Sequence, residues 1–352
     1  MENYNIKTLP SILRGLYATP IICELSKNNV FSKETKKINK ENCSKLKNKF
    51  MLNLCLEYLS QLKITENIKN EWFLTDVGYE IFRRSNSFFV PHSYRNVVLN
   101  LGEILKGKKK IENIKIDRKE NILGSGLTHL RYFYQPLNFC KSFKDFDTLI
   151  DLGCGNGDFI KLALKVKKDL KIVGIDLSND SVRTCKKNLK KYICHKKSII
   201  FNSDISKVTY WKKKSSRILK NSNPIISMWF MLHEISDHKV KNVKNFLKKV
   251  YKNFPKSSLL IGEIIKHDNN ILKEIHENSL MPEYLFFHKL SGQGILSWDD
   301  YKSLLVDSPY LLEYEWKFDN ENSKKIPSAF VWILKPKKII ETKNIKLWKL
   351  TK

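Results

Sequence analysis

The chain has 352 residues, 42% of them apolar and 11% aromatic, and no apolar run approaches the roughly 18 residues of a membrane-spanning helix, so a soluble globular protein is expected. A net charge of +28 would ordinarily suggest a nucleic-acid partner, but only eight of the 64 basic residues are arginine and the lysines are spread along the chain beside asparagine and isoleucine, as an A/T-rich coding sequence would give. Seven cysteines, an odd number without a CxxC pair, exclude a disulfide framework and a thiolate zinc site, and the opening MENYNIKTLP has no signal-peptide pattern, so reduced thiols and a cytoplasmic location are expected.

Residues 1–118 read as a helical domain with a small β element. Residues 51–62 (MLNLCLEYLSQL) space their apolar side chains as a helix does, and KITENIKNEWFLTDVGYEIFRR then offers a polar turn, a short aromatic strand and a helix opened by Thr75 or Asp76. This order is winged-helix-like. Such a module reads DNA in some proteins and serves as a lid or dimerisation domain in others; without an arginine-rich recognition helix, a cover over a cofactor crevice or a homodimer contact is the expectation here. A helix over 94–105 leads into the basic stretch 106–120, the approach to an interdomain segment at 119–146.

From residue 147 to 338 short aliphatic runs alternate with lysine-rich helices. TLIDLG, KIVGID, SIIFNSD, PIISMWF and SLLIGEII predict five buried parallel strands, and LLEYEWKFDN with PSAFVWILKP predicts an antiparallel pair at the sheet edge. The fold class is thus α/β, an open sheet preceded by a helical domain, with a basic tail at 339–352.

Asp151, Gly153, Gly155 and Gly157 lie just after the first of these strands and open a helix, where glycines let the backbone turn and approach a ligand at unpaired helix N–H groups. A dinucleotide fingerprint needs its third glycine at position 158, which is Asp158, so NAD and FAD are disfavoured. The spacing resembles the first motif of class I S-adenosylmethionine (SAM) methyltransferases, whose sheet is Rossmann-like. In that frame Asp176, followed by Leu177, ends the next strand where a carboxylate can accept both ribose hydroxyls, and Asp204, followed by Ile205, stands where the family contacts the adenine amino group. The plainer reading of both aspartates is helix N-capping.

MWFMLHEISDH places His233 and Glu234 after the fourth strand, where methyltransferases hold catalytic groups, and MPEYLFFHKLSGQG adds His288, Ser291 and Gln293. His233 as a general base with an acidic partner would suit O-methylation, whereas two histidines together suggest a metal; either ring alone could be a satisfied core residue. With GSGLTHLRYF at 124–133 and the FFHKLSGQ segment, the chain resembles the C-methyltransferases of 2-oxo acids, of the phenylpyruvate and 2-ketoarginine types, and related polyketide-initiating domains. The resemblance covers most of the chain. It implies Fe(II) held by His233 and His288 with a third ligand such as Gln293, and a small-molecule or carrier-bound acyl substrate whose enolate carbon takes the SAM methyl. His129 would then serve in substrate binding, proton transfer or as a hinge. The alternatives are a metal-independent O-methyltransferase with His233 as base and, less favoured, a SAM-sensing nucleic-acid binder.

Overall fold

The computed structural model describes residues 9–32, 35–125, 132–133, 146–192, 197–275, 281–318 and 327–337. His129, most of the 124–133 segment and the 339–352 tail lie outside them. The chain divides into two compact units, Met1–Leu130 and Arg131–Lys352.

In the first unit, Ala18, Ile22 and Leu25 of the helix Leu9–Lys27 share a core with Leu52, Leu56 and Leu59 of the helix Lys49–Gln61. Intervals of three and four residues put each trio on one helix face. Asn48 caps the second helix by accepting the Met51 N–H at 3.0 Å. Where a polar turn is expected at KITENI, Thr65–Ile68 (β1) instead pairs antiparallel with Glu71–Leu74 (β2). Lys69 and Asn70, at φ of 51° and 64°, make the turn between them. Two successive left-handed residues form the tight turn whose twist suits a hairpin, and beyond Thr65 the β1 side chains are exposed, so polar residues serve there. Thr75 caps the helix Asp76–Arg83 as expected. The helix expected over 94–105 is broken at Asn100 into Arg95–Leu99 and Leu101–Leu105, and the Asn100 amide donates to the Asn96 carbonyl at 2.7 Å, a local bond that competes with helix continuation.

Glu120 is buried in this unit and accepts from His92 Nδ1 at 2.8 Å, Lys27 Nζ at 3.2 Å and Arg95 at 2.6 Å. Cys23, His92 and Glu120 place potential ligand atoms within 4.8 Å of one another. The ammonium and guanidinium already beside Glu120 make this a salt-bridge network and oppose a cation.

The second unit is one seven-stranded sheet: β3 (Thr148–Leu152), β4 (Lys171–Asp176), β5 (Ser198–Asn202), β6 (Pro224–Trp229), β7 (Ser258–Ile264), β8 (Tyr310–Phe318) and β9 (Ala329–Pro336). Their order is β5-β4-β3-β6-β7-β9-β8, with β3 to β7 parallel and β9 antiparallel to both neighbours. All seven sequence runs are strands, and the antiparallel pair is at the edge. The fold is mixed α/β and Rossmann-like. β3, β6 and β7 are buried throughout because helices cover the sheet; in the helix Val240–Asn253, Val243, Phe246, Leu247 and Val250 form the stripe that meets the core. The sheet grows from β3 toward β5 on one side and from β6 toward β7 on the other. This reversal places a crevice at the carboxyl ends of β3 and β6. No helix among the described residues is long and apolar enough to cross a membrane.

A Cβ added at Gly78 would lie 1.8 Å from the Ile64 backbone oxygen, which cannot give way. Gly78→Ala is expected to destabilise the first unit by roughly 2–4 kcal/mol, read as a lowered urea midpoint.

Candidate active site

The loop after β3 is fixed by hydrogen bonds to β4. Gly153 and Cys154 both donate their N–H to the Ile175 carbonyl, at 2.8 and 3.0 Å. Gly153, Gly155 and Gly157 adopt φ of 75°, 50° and 86°, which only glycine takes up without strain. At Gly153 a Cβ would fall 2.3 Å from Met231 Sδ, and at Gly157 it would fall 2.8 Å from Cys185 Sγ; at Gly155 it would meet open space. The loop therefore packs closely at its two ends and is open in the middle. Asp176, at the end of β4, accepts the Gly155 N–H at 2.9 Å on one carboxylate oxygen and the Ser178 N–H at 2.8 Å on the other.

Beside it, Leu177, Asn202, Ser203, Asp204, Lys207, Thr209, Tyr210 and Lys249 line an open cleft of about 580 Å³. Leu177 is 69% exposed on its wall, while Asp204 accepts the Ser206 N–H at 2.8 Å. The structure thus brings Asp176, Leu177 and Asp204 to one edge. Ile205 is turned into the core, and its carbonyl accepts Trp211 Nε1 at 2.9 Å. Asp151 is buried between strands, where Ser227 Oγ donates to it at 2.5 Å. Burial pushes its carboxyl up to about 7, the Ser227 bond opposes this and the nearby Asp176 charge adds to it.

The second half of the site follows β6. His233, on the helix Leu232–Ser236, is buried, and its Nδ1 donates to Glu263 Oε1 at 2.8 Å. Glu263, at the end of β7 and fully buried, also accepts the N–H groups of Leu232 and His233 on Oε2, at 2.9 and 3.3 Å. His288, on the helix Met281–Leu290, stands with its ring centroid 4.9 Å from that of His233, edge to face. Its Nδ1 meets the Tyr284 carbonyl at 2.6 Å. A carbonyl only accepts, so this nitrogen carries the proton and Nε2 is left as the acceptor in the neutral ring; the same holds for His233 against a carboxylate.

Burial, the largest influence on His233, disfavours its charged form, but the Glu263 carboxylate overrides it and the pKa is raised. Burial and then the neighbouring His233 push His288 down to about 3, so it is neutral. Gln293 donates its side-chain amide to Glu234 Oε1 at 3.1 Å and its backbone N–H to the His288 carbonyl at 2.8 Å.

Sequence reasoning singled out Glu234 beside His233, whereas the residue that holds the imidazole is Glu263. A carboxylate inside the apolar run SLLIGEII was the available signal, since a buried acid requires partners.

Residues 144–308 match the family described as Methyltransferase domain. Over those residues the chain carries a methyltransferase domain. Among solved structures it is similar to an O-methyltransferase family protein from Burkholderia thailandensis, at 12% identity and a TM-score of 0.62 over 93% of this chain and 97% of that one. It is also similar to human N-acetylserotonin methyltransferase in complex with SAM, at 11% identity and a TM-score of 0.60 over 96% and 99% of the two chains. An O-methyltransferase of neocarzinostatin biosynthesis, solved with SAM and 2-hydroxy-5-methyl naphthoic acid, aligns at 13% identity and a TM-score of 0.55 over 92% and 98%. At these identities the likeness is one of fold. No curated protein matches the chain.

The buried Asp151 makes the methyltransferase unit pH-sensitive. Its folded pKa of about 7 exceeds the ordinary 3.8, so its contribution to stability is fully present below about pH 4 and is lost as the pH rises through 7. Asp151→Asn is expected to flatten this slope in the ligand-free protein and raise its melting temperature at pH 8 by roughly 2–6 °C, measured by thermal denaturation across pH.

Proposed function

We propose that the methyltransferase acts at the enolate carbon of a small 2-oxo acid, or of a related acyl unit that is free or carrier-bound, with His233 and His288 holding a divalent metal of the Fe(II) type. The observation that carries this reading is the pair of buried imidazoles, each with its Nδ1–H tied to an acceptor and its Nε2 left as the donor atom toward a cation. Anchored histidines of this kind, one backed by a carboxylate, are the usual donor set of an open metal site. Gln293 adds an amide oxygen, its nitrogen being engaged by Glu234. When bound, such a cation supplies Lewis-acid stabilisation of enolate charge.

The remaining work belongs to the chain. Asp176 and the Asp204 cleft bind the nucleoside of SAM, Asp176 being already aimed by two backbone N–H groups. Gly155 leaves the loop open for the cofactor's close approach, with Asp151, Gly153, Gly157, Leu177 and Ile205 shaping the strand ends around it. Glu263 holds the His233 ring in one tautomer, and His288, kept neutral by burial, contributes a lone pair and no charge. Asp176→Ala is expected to weaken SAM binding by roughly 1–3 kcal/mol without unfolding the protein, and calorimetry decides it.

A second reading, O-methylation with His233 as general base, is favoured by the raised basicity that Glu263 gives this ring. The two readings part at His288. If both rings hold a metal, His233→Ala or His288→Ala abolishes bound metal and turnover of phenylpyruvate while SAM binding persists, chelator acts likewise, and Glu263→Gln lowers activity by about 10–100-fold. If His233 is only a base, His288→Ala keeps substantial activity on a hydroxyl acceptor and chelation is harmless. Full turnover by metal-free protein in chelator defeats the C-methylation reading.

The winged-helix-like first unit fits a contact or covering role, including a homodimer contact, better than duplex reading. The helix Lys49–Gln61 exposes Phe50, Met51 and Leu54 and carries no arginine. Nucleic acid is accordingly not its partner in this proposal.

A further inference from the structure

The open cleft beside Asp176 has two exposed apolar side chains among its polar ones. Leu177 comes from the end of β4, and Tyr210, 52% exposed, comes from the helix Val208–Lys214 that follows β5. The helix does not use this aromatic for packing. Val208 and Trp211, three residues apart, form its buried face, and Tyr210 lies off that stripe. Ligand sites are lined in this way, with apolar and aromatic side chains supplying contact area and a few polar groups fixing orientation.

Tyr210 stands in a fixed relation to Asp204. The Lys207 N–H donates to the Asp204 carbonyl at 3.1 Å and the Tyr210 N–H to the Lys207 carbonyl at 3.0 Å, so one short turn joins the carboxylate to the helix that carries the ring. Trp211 Nε1, bonded to the Ile205 carbonyl, locks that turn from the core side. Lys214 donates to the Tyr210 hydroxyl at 3.4 Å, while its ammonium lies 4.5 Å from the centroid of the buried Phe201 ring at the end of β5. The phenol is thus tethered at its tip to the sheet. Ile205, which follows Asp204, has its side chain in the core and leaves this part of the cleft to another apolar group.

We infer that Tyr210 is the aromatic platform for the adenine of SAM, its ring stacking on the base whose amino group donates to Asp204, with Leu177 as an aliphatic contact. This rests on the proposed nucleoside site. A flat heteroaromatic ring gains from an aromatic neighbour whatever its edge presents, because stacking uses the π-face. The base is common to SAM and its demethylated product, so the contact sets cofactor affinity and takes no part in the transfer.

The test is calorimetry on the full chain with SAM, S-adenosylhomocysteine and 5′-methylthioadenosine, which share the adenine and differ at the amino-acid end. Tyr210→Ala is expected to raise the Kd of all three by a similar factor, about tenfold or more, and to melt as the wild type does, whereas Tyr210→Phe stays within about twofold. If the alanine variant does not fold, Tyr210→Leu reads the same quantity. SAM affinity within about twofold of the wild type in the folded alanine variant overturns the inference. A loss for SAM that spares 5′-methylthioadenosine also overturns it, by moving the contact off the base, as does a loss in Tyr210→Phe equal to that in Tyr210→Ala, by assigning the effect to the hydroxyl. A wild type that binds none of the three ligands instead overturns the proposed cofactor site, and this inference falls with it.

Discussion

The buried carboxylate of Glu263 is the interaction on which the turn after β6, and with it the proposed acceptor site, depends. Buried at the end of β7 with no exposure, it accepts four hydrogen bonds: Oε1 takes His233 Nδ1 and its neighbour's Ile264 N–H, and Oε2 takes the N–H groups of Leu232 and His233. A carboxylate in an apolar interior needs this number of partners to be tolerable. Three of the four come from the first turn after β6, so satisfying Glu263 fixes both the start of the helix Leu232–Ser236 and the direction of the His233 ring. From there the His233 carbonyl holds Gly294, and Ser236 Oγ donates to the Gly294 carbonyl. A side chain at Gly294 would strike the His238 backbone nitrogen at 2.0 Å, which is why this crossing requires glycine.

The glycine loop meets this construction beside Gly153. Gly153 has no side chain where Met231 Sδ lies, and Met231 is two residues before His233. The loop after β3 and the turn after β6 therefore pack against one another directly, at the point where the strand order reverses. The position of the glycine loop and that of the imidazole are set together, so a change in one loop is felt by the other. On the far side of the loop, Asp176 is held by the Gly155 and Ser178 N–H groups. Its carboxylate is thereby oriented, and in the proposed SAM site this would reduce the ordering cost of binding.

The fold was legible because its signals are local and periodic. Five apolar runs of strand length, each ending in a turn or a polar residue, cannot be hidden by tertiary context, and the glycine spacing after β3 marked a sharp turn that opens a helix. What stayed hidden depends on contacts distant in sequence. Glu263 lies thirty residues from His233 and looks like an interruption in a strand until the sheet brings the two together. Of the β1–β2 ribbon the aromatic strand β2 was legible, but β1 was missed because its exposed Glu66 and Asn67 carry no alternation signal and the turn residues Lys69 and Asn70 adopt left-handed geometry without glycine. Asn100 broke a helix through its own side chain, a competition that an average over a window smooths away.

The opposite shifts of the two central histidines constrain what their site can do. Glu263 raises the proton affinity of His233, and a proton there would disfavour charge on His288, which burial has already made neutral. The pair therefore carries at most one positive charge, on His233. Base catalysis uses that ring in its neutral form, and metal binding needs both rings neutral with Nε2 free of a proton, so either chemistry uses the same form of His233. The carboxylate that makes His233 a stronger base also makes it a stronger ligand, so His233 alone does not separate the two chemistries. His288 does. A neutral, anchored imidazole with a pKa near 3 is too weak a base to share in proton transfer near neutral pH, yet its lone pair is available to a cation at any pH above that value. In the proposed metal site, coordination would offset the desolvation of a second histidine held buried, neutral and 4.9 Å from the first.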